Sequence, residues 1–266
     1  MELSSAVDNN RFVFVDTSAI EVMDPGHVFQ TIKSPRKVTS GPLERSIDKY
    51  GHYIETFSKP NVIFIQAIRE EIEEYRNVLA PIFDTYAEVL VNSINGNTSS
   101  LIDEYHDIST SFYACIEQHS IEVDRQDILR LAELLKYVNI HYRITKTDSR
   151  RSKKRVDERV LASAYMLAAE EKEPVAIITH DSDFQEILSA HYRVQGAKDF
   201  LPFNEAFTDV HKYISIYKVR NLYCQKIDIP PHEPRLLDTS MHSPKGAIKL
   251  AKNISHRWKE ISDLMR

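Results

Sequence analysis

Five acidic residues sit where apolar runs end or helical stretches begin. Asp16 closes the run FVFV, and Asp181 and Asp183 follow VAIIT within THDSDF. Asp157 opens the stretch DERVLASAYMLA, and Glu71 lies on a helical segment after VIFI. In α/β domains ligands gather at strand ends. Carboxylates converging there repel one another unless a cation lies between them. An oxygen-only donor set suits a hard divalent ion, Mg²⁺ or Mn²⁺. Asp16, Glu71, Asp157, Asp181 and Asp183 are therefore candidates for holding metal and for catalysis, with Ser18 in support.

Periodicity separates these acids from their neighbours. On the helix expected over 66–80 the apolar stripe is Ile68, Ile72, Tyr75 and Leu79. At about 100° per residue, Glu71 lies roughly 70° from the stripe centre, whereas Glu70, Glu73 and Glu74 lie about 130° or more away. Glu71 borders the packed face and the other three face water. Asp157 shares a face with Val160, Leu161, Ala164 and Ala168, while Glu158 points elsewhere, into solvent. A plain N-terminal helix charge also accounts for Asp157 when it is taken alone. Asp181 or Asp183 can cap the helix that follows, although two acids exceed what a cap needs. The hydroxyls of Thr17 and Ser18 suit orienting Asp16 or binding a metal-bound water; a turn role explains Ser18 as well. His180 fits a structural role better than a ligand role.

The elements that must position these acids alternate. FVFV at 12–15, VIFI at 62–65 and residues 175–179 read as strands buried on both faces. Helices are expected at 43–58, 66–80, 82–94, 101–118, 124–137 and 157–172, with a short one from Asp183. NIHYRI at 139–144 and HYRV at 191–194 read as further short strands. The alternation predicts an α/β three-layer sandwich on a central, mostly parallel sheet. After about 203 the pattern changes. Residues 212–227 alternate like strands, a Pro-rich linker follows at 230–234, and a final helix starts near 244.

The chain has 266 residues, 42% hydrophobic, and a net charge of −5, enough for a sizeable core and far from a polycation. Nucleic acid would have to be met by a local basic patch. One exists: between Arg143 and Arg155 seven basic residues face one acid, Asp148, immediately before Asp157. Arg150, Arg151, Lys153, Lys154 and Arg155 are candidate phosphate-backbone contacts; a solvated loop is the plainer reading. Cys115 and Cys224 have no metal spacing, which fits a reduced, cytoplasmic setting. No secretory leader, membrane span or glycine-rich phosphate loop is evident.

The ordered set of motifs resembles the PIN-like nuclease superfamily. VDTSA matches the strand ending in Asp and a small hydroxyl residue. VIFIQAIREEI matches the strand leading into a Glu-bearing helix, and VDERVLASA the helix opening with Asp. IITHDSDF matches the Thr-x-Asp-x-Asp-Phe motif, and HYRVQGAKDFL the last strand. The Lys-x-x-Asp lead and DSDF also look like the related NYN branch. The resemblance spans 11–203 and leaves 204–266 as a C-terminal extension without counterpart. The stretch between Glu71 and Asp157 is also longer and more helical than in compact members.

The resemblance implies a metal-dependent endonuclease that hydrolyses phosphodiesters, with single-stranded RNA favoured as substrate. A structure-specific DNA nuclease, a catalytically idle module that binds RNA or protein, and a toxin or defence effector restrained by a partner are the alternatives. An a/d-like seam of Ala247, Ala251, Ile254, Trp258, Ile261 and Met265 makes 244–266 a candidate homo-oligomer or partner interface, with packing on its own core as the plainer option. Neutralising Arg150, Arg151, Lys153 and Lys154 is expected to weaken nucleic-acid binding. The slope of log affinity against log salt should fall by roughly 0.7 per lost contact to a single strand. An unchanged slope in a filter-binding titration would make the segment a solvated linker.

Overall fold

The run FVFV forms β1 (Phe12–Val15), with three of its four residues buried. VIFI forms β2 (Val62–Ile65), and VAIIT forms β4 (Val175–Thr179), buried along its whole length. Strands this continuously apolar need cover on both faces, as interior strands of an α/β sheet have. The computed structural model describes residues 1–20, 39–93, 98–122, 128–129, 131–132, 156–181, 184–185 and 210–228. Its helices are α1 (Leu3–Asp8), α2 (Gly41–Phe57), α3 (Gln66–Ser93), α4 (Thr98–Gln118) and α5 (Val156–Glu171). The remaining strands are β3 (Ser120–Ile121), β5 (Ile214–Arg220) and β6 (Tyr223–Ile227).

The fold is α/β with a mostly parallel central sheet of order β3-β2-β1-β4-β5-β6. β1 and β2 are parallel, with Val13 opposite Val62, and β2 and β3 are parallel, with Phe64 opposite Ser120. The expected alternating segment at 212–227 supplies β5 and β6. They are joined through Asn221 and Leu222, both at positive φ, as a type I′ hairpin turn requires. The chain forms two compact units. One comprises Met1–Glu122, Ile178–His180 and Lys218–Gln225, the other Val123–Ile177, Asp181–Tyr217 and Lys226–Arg266.

In the first unit α2 packs on α4 through aromatic rings. Tyr50, Tyr53 and Phe57 recur on one face of α2 at the spacing that keeps a helical stripe aligned. Tyr50 meets Phe112 at 5.1 Å, and Phe57 meets Phe64 of β2 edge-on at 5.7 Å. Phe83 of α3 stacks on Tyr105 at 4.3 Å. α1, which the sequence pattern did not disclose, buries Leu3, Ala6 and Val7. Asn61 fastens it by donating to the carbonyls of Val7 and Asn10 at 2.9 and 2.8 Å. In the second unit α5 packs against the 3₁₀ turn Val210–Tyr213.

Three local expectations are corrected. The helices at 66–80 and 82–94 are one helix, α3, which carries Pro81 in its interior. An interior proline costs about 3 kcal/mol. Here Leu79, Phe83, Tyr86 and Leu90 are buried on either side of it and hold the two halves to one core. Tyr75 is not part of a buried stripe but 40% exposed, because every residue from Glu73 to Val78 is exposed. Glu158 is buried rather than solvated: α5 is enclosed nearly all round from Val160 to Met166, so its first turns have no clear water face. The expected elements at 139–144, 191–194, 230–234 and 244–266 lie outside the described residues, as does most of 124–137. Among the described residues no helix is long and apolar enough to cross a membrane.

Burial raises the Tyr50 phenol well above its ordinary range and pushes those of Tyr86 and Tyr105 up to about 12. The fold favours the neutral phenol. Below pH about 10, folded and unfolded chains hold these protons alike. As pH climbs from about 10 to about 12 the unfolded chain releases them first, and stability is lost. The urea midpoint should therefore fall steeply between pH 10 and pH 12, and a flat profile would contradict the burial of these hydroxyls.

Candidate functional site

Asp16 directly follows β1, and its backbone N–H donates to the Ile178 carbonyl of β4 at 2.9 Å. β1 has β2 on one side and β4 on the other. Chain order along the sheet therefore reverses at this pair of strands. In open α/β sheets the crevice beyond the carboxyl ends at such a reversal is where ligands bind. The 3₁₀ turn Thr17–Ala19 is closed here by the Asp16 carbonyl, which accepts from Ala19 N–H at 3.0 Å, and the carboxylate makes no capping bond. A capping role does not account for this acid.

Asp16 is 4% exposed, and a carboxylate in that position needs donors. It has them. Thr179 Oγ1 donates to Asp16 Oδ2 at 2.8 Å, and Ser18 Oγ makes a very short bond to the same oxygen. Thr179 and Ser18 lie 3.0 Å apart. Each hydroxyl has one proton, and both protons are directed at Oδ2. Thr17 turns elsewhere: its hydroxyl donates to Glu71 Oε2 at 2.6 Å. Glu71 is half-buried on the second turn of α3, immediately after β2. The structure thus ties two sequence-predicted acids to consecutive residues, Asp16 itself and Glu71 through Thr17. Ser18 takes the orienting role open to both hydroxyls, and Thr17 does not.

Asp157 and Asp181 belong to the second unit. Asp157 is half-buried on the first turn of α5, and Asp181 is exposed just after β4. Asp183 and the basic residues Arg150, Arg151, Lys153, Lys154 and Arg155 lie outside the described residues. Glu70, Glu73 and Glu74 are exposed, and Arg69 pairs with Glu73 at 3.1 Å. Among the described residues no three His, Cys, Asp or Glu side chains form a group able to hold a metal ion. The donors at the strand reversal are nonetheless all oxygens, the set that hard divalent cations take.

Sequence reasoning missed Thr179, a fully buried residue whose hydroxyl holds Asp16 across 163 positions of chain. Its signals were a hydroxyl closing an otherwise apolar strand and its place as the threonine of IITHDSDF. The strand reversal was also hidden, because strand order is a tertiary fact. Comparison with family models, with curated proteins and with solved structures finds no match. Thr179→Val keeps the shape but removes one donor from a buried carboxylate. It is expected to cost about 1–3 kcal/mol in urea unfolding, and wild-type stability would show that the carboxylate does not depend on Thr179.

Proposed function

We propose that this protein is a PIN-like, metal-dependent endonuclease that hydrolyses phosphodiester bonds, with single-stranded RNA as the favoured substrate. The observation that carries the reading is the Asp16 carboxylate, buried at the strand reversal and held on one oxygen by Ser18 and Thr179. The Glu71 carboxylate accepts from the hydroxyl of the next residue, Thr17. Nothing about β1 requires a buried charge at its end, and an apolar residue would cost less there. A buried carboxylate maintained at this cost fits binding of a cation.

Asp16 and Glu71 are the residues that would hold Mg²⁺ or Mn²⁺, and the sequence resemblance adds Asp157, Asp181 and Asp183 to that set. A divalent ion at such a site makes bound water more acidic and offsets charge on the leaving oxygen. Ser18 and Thr179 fix the orientation of the Asp16 carboxylate, and Thr17 restrains Glu71. Pre-setting the acids in this way removes reorganisation from the reaction itself. The basic residues between Arg150 and Arg155 are the proposed contacts to the phosphate backbone.

The alternative reading is a catalytically idle PIN-like module that binds RNA or protein. Incubating the purified protein with single-stranded RNA, single-stranded DNA and duplexes, with Mn²⁺ or with EDTA, separates the readings. Cleavage of RNA that EDTA abolishes is expected. Asp16→Asn should lose at least ~100-fold in kcat, the scale of removing one preorganised electrostatic group, while remaining folded by circular dichroism. RNA binding without cleavage would favour the idle module, and cleavage of DNA alone would replace the substrate. Full activity in Asp16→Asn would remove the carboxylate from the mechanism.

A further inference from the structure

β4 ends at Thr179, and the next residue reaches both neighbouring strands. The backbone N–H of His180 donates to Ser18 Oγ at 3.0 Å, on the β1 side. Its ring nitrogen Nδ1 lies 2.8 Å from the Val219 carbonyl of β5, on the other side. β4 runs between these two strands. His180 thus replaces the ladder bonds that stop with β4 by one side-chain bond in each direction. A carbonyl has no proton to give, so Nδ1 must carry the hydrogen, and in the neutral ring the second nitrogen, Nε2, then has none. A histidine side chain in water favours the opposite, ε tautomer, so the δ form is a mark of this contact.

Ser18 Oγ accepts the His180 N–H and directs its own proton to Asp16 Oδ2. A hydroxyl that accepts from one side and donates to the other has little rotational freedom left. The result is a continuous line from a β5 carbonyl, through the ring and amide of His180 and the hydroxyl of Ser18, to the carboxylate. Val219 is fully buried within β5, which gives the line a rigid anchor. The sequence favoured a structural part for His180, and nothing in the nuclease reading uses it.

We propose that His180 is a positioning residue for Asp16: its ring, locked to Val219 as the δ tautomer, holds the backbone amide that orients Ser18 and through it the carboxylate. This rests on the nuclease reading only for its effect on catalysis. The side-chain amide that His180→Asn introduces would sit where Nδ1 sits now, whereas the one that His180→Gln introduces would sit at the Nε2 position. The pair His180→Asn and His180→Gln therefore separates loss of the ring from loss of the donor.

Two measurements test this. In long-range ¹⁵N–¹H spectra the His180 ring should show the δ tautomer. His180→Gln should shift the Ser18 and Asp16 amide signals, while His180→Asn should shift them much less. For cleavage, His180→Gln should lower kcat about 10–100-fold, the scale for groups that orient a ligating residue, with KM little changed. His180→Asn should recover most of the loss, and His180→Gln combined with Ser18→Ala should be no slower than Ser18→Ala alone. An ε tautomer, unmoved Ser18 and Asp16 signals, or equal kcat for His180→Asn and His180→Gln would each overturn the proposal. Should the wild type cleave no nucleic acid, the nuclease reading falls and the spectra alone still decide the role of His180.

Discussion

A carboxylate withdrawn from water at the end of a buried strand sets the terms for everything around it. Left without donors, Asp16 would be destabilising by several kcal/mol, or would take up a proton and cease to be an anion. Two hydroxyls meet the requirement, but hydroxyls on flexible side chains would be poor partners. Both are therefore placed by backbone that is itself fixed. Thr179 is the last residue of a fully buried strand, and Ser18 sits in a 3₁₀ turn closed by the carbonyl of Asp16. The short turn after β1, the point where β4 stops and the hydroxyls at 18 and 179 all follow from keeping one charge inside.

The second acid is delivered by a different kind of constraint. Glu71 depends on where α3 starts and on how the helix is rotated about its axis. Both are fixed by packing. Ile68 and Ile72 are buried near the start of the helix, and Phe83, Tyr86 and Leu90 further along. The stacked pair Phe83 and Tyr105 ties α3 to α4, and α4 is tied in turn to α2 by Tyr50 and Phe112. The aromatic core thus acts on the site at a distance, through the register of one helix. The exposed turn from Glu73 to Val78 contributes nothing to that register, which is why the helix needs buried residues at both ends.

The sequence disclosed elements whose signal is local. FVFV, VIFI and VAIIT could hardly be anything but buried strands, and the α2 and α5 patterns were within about two residues of their true bounds. Asp16 and Glu71 were legible because strand ends and a helical angle can be read from one dimension. The failures share a cause. Pro81 announced a break that tertiary packing overrode, Tyr75 fitted a stripe that has no partner layer, and Glu158 was judged on amphipathicity in a helix enclosed nearly all round. Thr179 and His180 act through contacts with residues 16, 18 and 219, and no spacing along the chain encodes such partners.

The pairing of Asp16 with Thr179 has a consequence in time as well as in space. The two residues are 163 positions apart, and the amide of His180 that meets Ser18 is one position further on. During synthesis at about 5–20 residues per second, roughly 8–30 s separate the appearance of the carboxylate from that of its more distant donor. Over that interval β1 has β2 available on one side and nothing on the other. Asp16 remains an ordinary hydrated acid on a half-built sheet. The proposed catalytic cradle is thus among the later things the chain can assemble, and a partly made molecule lacks it.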